Sequence, residues 1–358
     1  MTADLQELGS SPAASAAGEP SPVPVDGGRR ARREATSPRS RPLPSVPKLW
    51  AREPKAETRR GRRHRKPSPL WAYVISVTTG IALLCLGFVF LLLVGSPFQA
   101  ARDQQVLYSE FRKSLAEGTA PVSALTFEDV PLAVGAPVAV LAIPALGEEL
   151  VVVEGTASPQ TMSGPGHRRD TVLPGQAGVS ILIARQSAFS GPFGNIGGLP
   201  VGAEITVTTG QGFSTYVVSG VRRAGDPQPQ PLAAGGARLT LISAEGTPYL
   251  AEKIVRVDAT LVSSSADGTT IDKVPFPAGP RVITTSTLPA SELATAGDSS
   301  QAFALVLWAQ AFLIAVIAFT WARERWGRWQ AWTVGLPVLL AVGWAVSNQV
   351  VALLPNLL

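Results

Sequence analysis

The stretch LWAYVISVTTGIALLCLGFVFLLLV, Leu70 to Val94, runs for 25 residues without a charge. About 20 such residues cross the hydrocarbon core of a bilayer as a helix, because no water is present there and a helix satisfies its own backbone. A cleaved signal peptide is the competing reading. It fits poorly, since the apolar run is too long and nearly 70 residues precede it. A first transmembrane helix is therefore predicted over 69–95. Two further apolar runs, at 302–322 and 329–353, predict a second and a third, joined by the short basic link 323–328 (Arg-Glu-Arg-Trp-Gly-Arg).

The distribution of Lys and Arg sets the expected direction of these spans. The run Arg59-Arg60-Gly61-Arg62-Arg63-His64-Arg65-Lys66 abuts the first span, and the Arg-rich link joins the other two. Both should be cytoplasmic. Residues from about 97 to 300 and the C-terminus are then expected outside, in a multi-pass protein of the cell membrane. Through Lys66 there are 15 Lys/Arg against 7 Asp/Glu, so this segment carries about +8 of a chain total of +5 and the remainder is slightly acidic. Segment 1–68, rich in Pro, Ser, Ala and Arg without apolar periodicity, is expected to be a disordered cytoplasmic tail. Its basic stretch admits a nucleic-acid reading. Its place beside a span favours a positive-inside determinant touching anionic lipid, and no nucleic-acid partner is expected.

Between the spans, residues 98–128 read as a juxtamembrane helix and linker leading away from the bilayer. The texture then changes to short β-rich runs between Gly/Pro turns. Strands are predicted at Val138–Ile143, Leu150–Glu154, Val179–Ile183, Glu204–Thr208, Ser214–Val221, Arg238–Ser243 and Ile254–Val262. So many short strands in 129–263 argue for a closed barrel or a sandwich. Residues 264–300 read as a linker carrying one possible strand at Val282–Thr285. The single cysteine, Cys85, lies inside the first span and excludes an intramolecular disulfide and any Cys-based metal site. His64 and His167 are too few and too far apart to argue for a metal. No cofactor is implied.

Several motifs in order resemble an actinobacterial sortase, the class E type most closely. They are Ile143-Pro144-Ala145-Leu146, Val151-Val152-Val153-Glu154-Gly155-Thr156, Gly164-Pro165-Gly166-His167 and Thr171-Val172-Leu173-Pro174-Gly175-Gln176. Ser187-Ala188-Phe189-Ser190-Gly191-Pro192-Phe193, Leu199-Pro200-Val201-Gly202-Ala203-Glu204-Ile205 and the strand pair around Leu239-Thr240-Leu241 and Ile254-Val255 continue the series. The resemblance covers about 130–262 and implies the all-β, eight-stranded sortase barrel. With the three helices and the tail, that defines the expected fold class. It also implies a transpeptidase in which a thiolate attacks, a His serves as acid and base, and an Arg supports substrate or oxyanion.

At those three positions this sequence departs from the pattern. Arg185, followed by Gln186, takes the place of the His. Ala244 ends the Leu239-Thr240-Leu241-Ile242-Ser243 strand where the Cys belongs. Lys253 stands for the Arg, with Arg256 three positions on, and Lys does not replace a planar guanidinium fork. Strand alternation points Ser243 away from the Ala244 face, and no His is near it in sequence. His167 reads as a structural loop residue, and Glu245 and Asp258 as isolated carboxylates with surface or turn roles. Arg185 and Lys253, if both face the former site, would form a positive pocket for a carboxylate or phosphate, with Gln186, Arg256 and His167 as further candidate contacts.

The first functional reading is a catalytically inactive, sortase-like membrane protein that binds or organises envelope proteins, with peptide segments in a residual groove. Equally open is a groove that survives only as ordinary barrel core. The second reading is an active transpeptidase or hydrolase with a relocated nucleophile. The third is a subunit of a transport or assembly complex, against which stands the lack of charge in the spans, where Gln310, Asn348 and Gln349 are the strong polar groups. Small residues such as Ala331, Gly335 and Gly343 would permit close helix–helix contacts with membrane partners, or are simply the small residues common in any transmembrane helix.

Overall fold

The computed structural model describes residues 69–126, 128–266, 269–297 and 300–358. The basic segment 1–68, and with it the expected disorder and lipid contact, lies outside the described residues. Helix α1 (Pro69–Phe90) passes through a five-residue π-helical segment, Leu91–Gly95, into α2 (Ser96–Ala116). Two more long helices, α4 (Gln301–Arg325) and α5 (Arg328–Leu353), follow the β region, and a short α3 (Ser158–Ser163) lies within it. The helix spanning 70–116 together with α4 and α5 makes three that are long and apolar enough to cross a membrane. Glycine allows α4 and α5 to approach: a Cβ on Gly335 would collide with the Phe319 ring.

The strands are β1 (Pro137–Ile143), β2 (Glu148–Glu154), β3 (Gly166–His167), β4 (Gly178–Ile183), β5 (Glu204–Thr209), β6 (Gly212–Arg222), β7 (Ala237–Thr247), β8 (Leu250–Ala266) and β9 (Thr269–Asp272). Their order is β6-β5-β1-β2-β3-β4-β7-β8-β9, and the pairing of β6 with β8 closes the first eight into a barrel. All seven predicted strands are present and most are longer than predicted. The pairs β2–β3 and β4–β7 are parallel; the other ladders are antiparallel. Closure leaves no unpaired edge around the barrel. Its interior is a single apolar core including Val138, Leu141, Phe193, Leu239, Leu241 and Val257.

Three differences from the sequence-based expectation affect the site. First, the juxtamembrane helix expected within 98–128 ends at Ala116, and it packs against β2 and α3. Gln104 is the fastener: its Oε1 accepts from Val151 N at 2.7 Å and its Nε2 donates to Ser163 O at 2.6 Å and Val151 O at 3.1 Å. One amide side chain thus satisfies the exposed backbone of β2 as a neighbouring strand would. Second, Val282–Thr285 is not a strand. The Thr284 N–H donates to Thr287 Oγ1 at 2.9 Å and the Thr284 carbonyl accepts from Thr287 N and Leu288 N, which makes a turn. Third, the region 264–300 carries the end of β8, all of β9, and Glu292, whose buried carboxylate is held by Arg169.

Candidate functional site

The geometry around Ala244 begins with the side-chain parity of β7. Leu239 and Leu241 belong to the barrel interior, whereas Ile242 and Ala244 belong to a separate cluster with Ile183 and Leu357 on the outer face. Period-two alternation therefore sends Ser243 toward the interior, as expected from sequence. Its Oγ is buried and has no hydrogen-bond partner among the described residues. Among the described residues the histidine is His167, and both its nitrogens are occupied elsewhere.

Above Ala244 lies the segment Leu354–Leu358, which follows α5. Leu357 is fully buried in the cluster with Ile183, Ile242 and Ala244. Its carbonyl accepts from Gln186 N at 2.9 Å, and the Leu358 carbonyl accepts from Ala188 N at 3.3 Å. Asn356 fixes the other side: its Nδ2 donates to Thr156 O at 2.7 Å and Leu293 O at 2.9 Å, and its N–H to Ala296 O at 3.0 Å. The apolar face beside Ala244 is thus covered by the chain's own residues. Nothing in the composition of Leu-Pro-Asn-Leu-Leu marks it as a docking segment. The contact joins parts of the sequence more than 100 residues apart, so local pattern carries no signal of it.

Arg185 is one of the largest fully buried side chains of the protein. Its Nη2 donates to Ser158 Oγ at 2.6 Å and to Ser158 O at 3.2 Å, and its guanidinium carbon stands 5.3 Å from the centre of the Phe189 ring. Ser158 in turn donates to Val351 O at 3.2 Å, which links the arginine to α5. Nε and Nη1 have no hydrogen-bond partner among the described residues. Burial pushes the guanidinium down to about 9, so it stays cationic at neutral pH. Phe189 and Ser190 hold positive φ angles of 56° and 69°, a costly conformation for non-glycine residues that places this loop over α2. There the Phe189 N–H donates to Ser96 Oγ at 3.1 Å.

Lys253 is elsewhere. It is exposed, opposite Glu245 in the β7–β8 ladder. The shared positive pocket of Arg185 and Lys253 is therefore not formed: one cation is buried against Ser158 and Phe189, the other stands in solvent. Glu245 is not isolated either. Arg223 grips both its oxygens at 2.7 Å, and this hydrogen bonding holds its pKa below the usual carboxylate value. Asp258, read as an isolated carboxylate with a surface or turn role, is instead buried in β8, accepts from Thr240 Oγ1 at 2.8 Å and is paired with Arg222. Arg256 is paired across the ladders with Ile242 and with Arg222. Gln186 donates from Nε2 to Gly246 O at 2.8 Å, joining the loop after β4 to the β7–β8 hairpin.

His167 is buried in β3. Nδ1 lies 2.8 Å from Glu154 Oε2 and Nε2 lies 2.9 Å from Val172 O. Both partners are acceptors, so full satisfaction requires a proton on each nitrogen. Burial opposes that charge. The Glu154 carboxylate, through its charge and hydrogen bond, outweighs burial together with the Val172 carbonyl and Asp170, and the imidazole pKa is raised. No group of three or more His, Cys, Asp or Glu suited to a metal occurs among the described residues.

Residues 141–262 match the family model of the sortase domain. No curated protein gives a significant match. Among solved structures, the chain is similar to a Clostridium perfringens sortase D5 transpeptidase at 19% identity and TM-score 0.38, covering 45% of this chain and 99% of that one. Sortase E from Streptomyces avermitilis matches at 28% identity and TM-score 0.33, covering 38% and 93%. Sortase E1 from Streptomyces coelicolor, with a tripeptide in its active site, matches at 21% identity and TM-score 0.34, covering 37% and 91%.

Proposed function

We propose that this protein is a catalytically inactive relative of the class E sortases of actinobacteria. In this reading it is a multi-pass protein of the cell membrane whose outward-facing barrel binds or organises other envelope proteins. One observation carries the reading: at the position of the family's nucleophile stands Ala244, buried beneath Leu357 of the same chain. Methyl and isobutyl groups in contact leave no atom that could attack a carbonyl there, and no space for a scissile bond. The occupied hydrogen bonds of His167 and the buried position of Arg185 support the same conclusion, because neither offers an acid–base pair to a substrate. The basic residues before α1 and between α4 and α5 support a cytoplasmic location for both segments. The barrel and the segment after α5 then lie outside.

A nucleophile relocated to Ser243 is disfavoured by its direction, into the barrel core and away from any base. The test is to expose the full chain in membranes to a serine-directed probe and to a sorting-signal peptide, beside Ser243→Ala. Neither labelling nor cleavage above the variant is expected. Cleavage that disappears in Ser243→Ala overturns the inactive assignment. For the binding role, a photo-crosslinker at exposed Lys253 in intact cells is expected to capture a discrete envelope protein. Capture of lipid and of the chain itself alone overturns that role.

A further inference from the structure

The tip of the β7–β8 hairpin carries two apolar residues that the barrel core does not use. In Thr247-Pro248-Tyr249-Leu250, Leu250 is 64% exposed and Tyr249 has φ 64°. Leaving a leucine on a turn tip forgoes the stabilisation of burying it unless the tip meets another apolar phase. Tyr249 shows which. Its Oη donates to Leu92 O at 3.2 Å, and its N–H to Ser187 Oγ at 3.2 Å. Leu92 belongs to the charge-free run and to the π-helical segment, where the wider turn makes a carbonyl available. The same carbonyl accepts from Ser96 Oγ at 2.6 Å.

The level of that contact along the helix can be counted. At 1.5 Å per residue, Leu92 lies about 35 Å beyond Pro69, near the far edge of a hydrocarbon layer about 30 Å thick. A second observation marks the same level independently. A Cβ on Gly95 would stand 3.7 Å from the ring of Trp344 on α5, whose side chain is 48% exposed, and Phe98 projects one turn further on at 74%. Aromatic side chains at one height on the outside of adjacent helices are the pattern of a membrane–water interface. A tyrosine whose hydroxyl meets a helix carbonyl while its ring lies among acyl chains suits that boundary.

We infer that the β7–β8 hairpin tip, Pro248–Leu250, is seated in the lipid interface distal to the basic residues that precede α1. Leu250 enters the headgroup–acyl boundary and Tyr249 anchors the tip to the π-helical segment that follows α1. The bilayer is thereby a partner of the barrel itself, beyond the three spans. Because Gly246, four residues back from the tip's end at Leu250, is tied to Gln186, the Ala244 end of the barrel is also the end that faces the membrane. Any protein engaging that end must approach along the bilayer surface.

The test places an environment-sensitive fluorophore at Leu250→Cys in a Cys85→Ala background, in phosphatidylcholine vesicles containing a nitroxide either shallow or deep on the acyl chain. Ile271→Cys in β9 is the control. It is 49% exposed and is paired with Ser264 near the opposite end of β8, about 45 Å of strand away. The Leu250 probe is expected to emit to the blue of the Ile271 probe, to lose intensity to the shallow nitroxide and to be shielded from aqueous iodide. Equal emission and equal iodide quenching at the two sites overturn the inference, as does quenching by the deep label alone. Pro248→Cys, also on the exposed tip, gives an independent measurement if labelling at Leu250 prevents reconstitution.

Discussion

His167 and Arg185 are both buried basic side chains in the same barrel, and they are treated in opposite ways. The imidazole has an acceptor on each nitrogen and a carboxylate as neighbour. The guanidinium has one serine, one aromatic face and two nitrogens without a partner among the described residues. Burial costs a charged group several kcal/mol unless pairing and hydrogen bonds offset it. The first site offsets it and reads as architecture: it joins β2 and β3 to the loop before β4. The second does so only in part: Arg185 lies in the seam between barrel and α5 without a complete set of partners among the described residues.

The largest test of this contrast is Glu154→Ala. It leaves His167 buried without its counter-charge and is expected to cost about 3–5 kcal/mol of stability, read from thermal or denaturant unfolding in detergent. A loss below about 1 kcal/mol would show that the pair is not the structural element described. Next is Ser158→Ala, which removes the hydroxyl between Arg185 and Val351. A loss of about 1–3 kcal/mol is expected, with Arg185 then retaining only the Ser158 carbonyl. A double-mutant cycle with Arg185→Met should show that most of this cost vanishes when the guanidinium is absent.

The pH dependence sharpens the first half of the comparison. The folded pKa of His167 is raised, so the folded state holds a proton more tightly than the unfolded one. Its stabilisation is fully present below the ordinary imidazole value of about 6.5 and is lost as pH rises through the folded value. Stability should therefore fall across that window in the native chain and lose this slope in His167→Gln. The smallest effect is expected for Arg185→Met. Replacing a partly satisfied buried cation by an apolar side chain of similar length should change stability by less than about 1 kcal/mol, or raise it. A loss of several kcal/mol would mean that the arginine is better satisfied than its neighbours suggest.

Much of the architecture was legible in the sequence because it depends on short-range chemistry. Runs of 20 or more uncharged residues identify the helices, and alternation with Gly/Pro punctuation located all seven predicted strands. The same alternation correctly separated Ser243 from Ala244. Val282–Thr285 failed because its β-branched composition suited a strand while its threonine side chains closed a local turn instead. Asp258 and Glu245 were misjudged because their arginine partners, Arg222 and Arg223, come from another strand and its following turn. The positive pocket failed for a related reason, since burial decides what a cation near a site can do and burial is not a property of the residue alone.

What the sequence by itself determined is the chemical inventory: a thiol only at Cys85, an alanine at 244, and apolar runs sufficient for three spans. The tertiary structure alone decided how that inventory is arranged. It brought Leu357 onto Ala244, tied Arg185 through Ser158 to α5, and laid the β7–β8 tip against Leu92. The physical reason is range. Periodicity and propensity act over a few residues, whereas these contacts join positions some 110 to 190 apart, and they form only once barrel closure and helix packing have set the backbone.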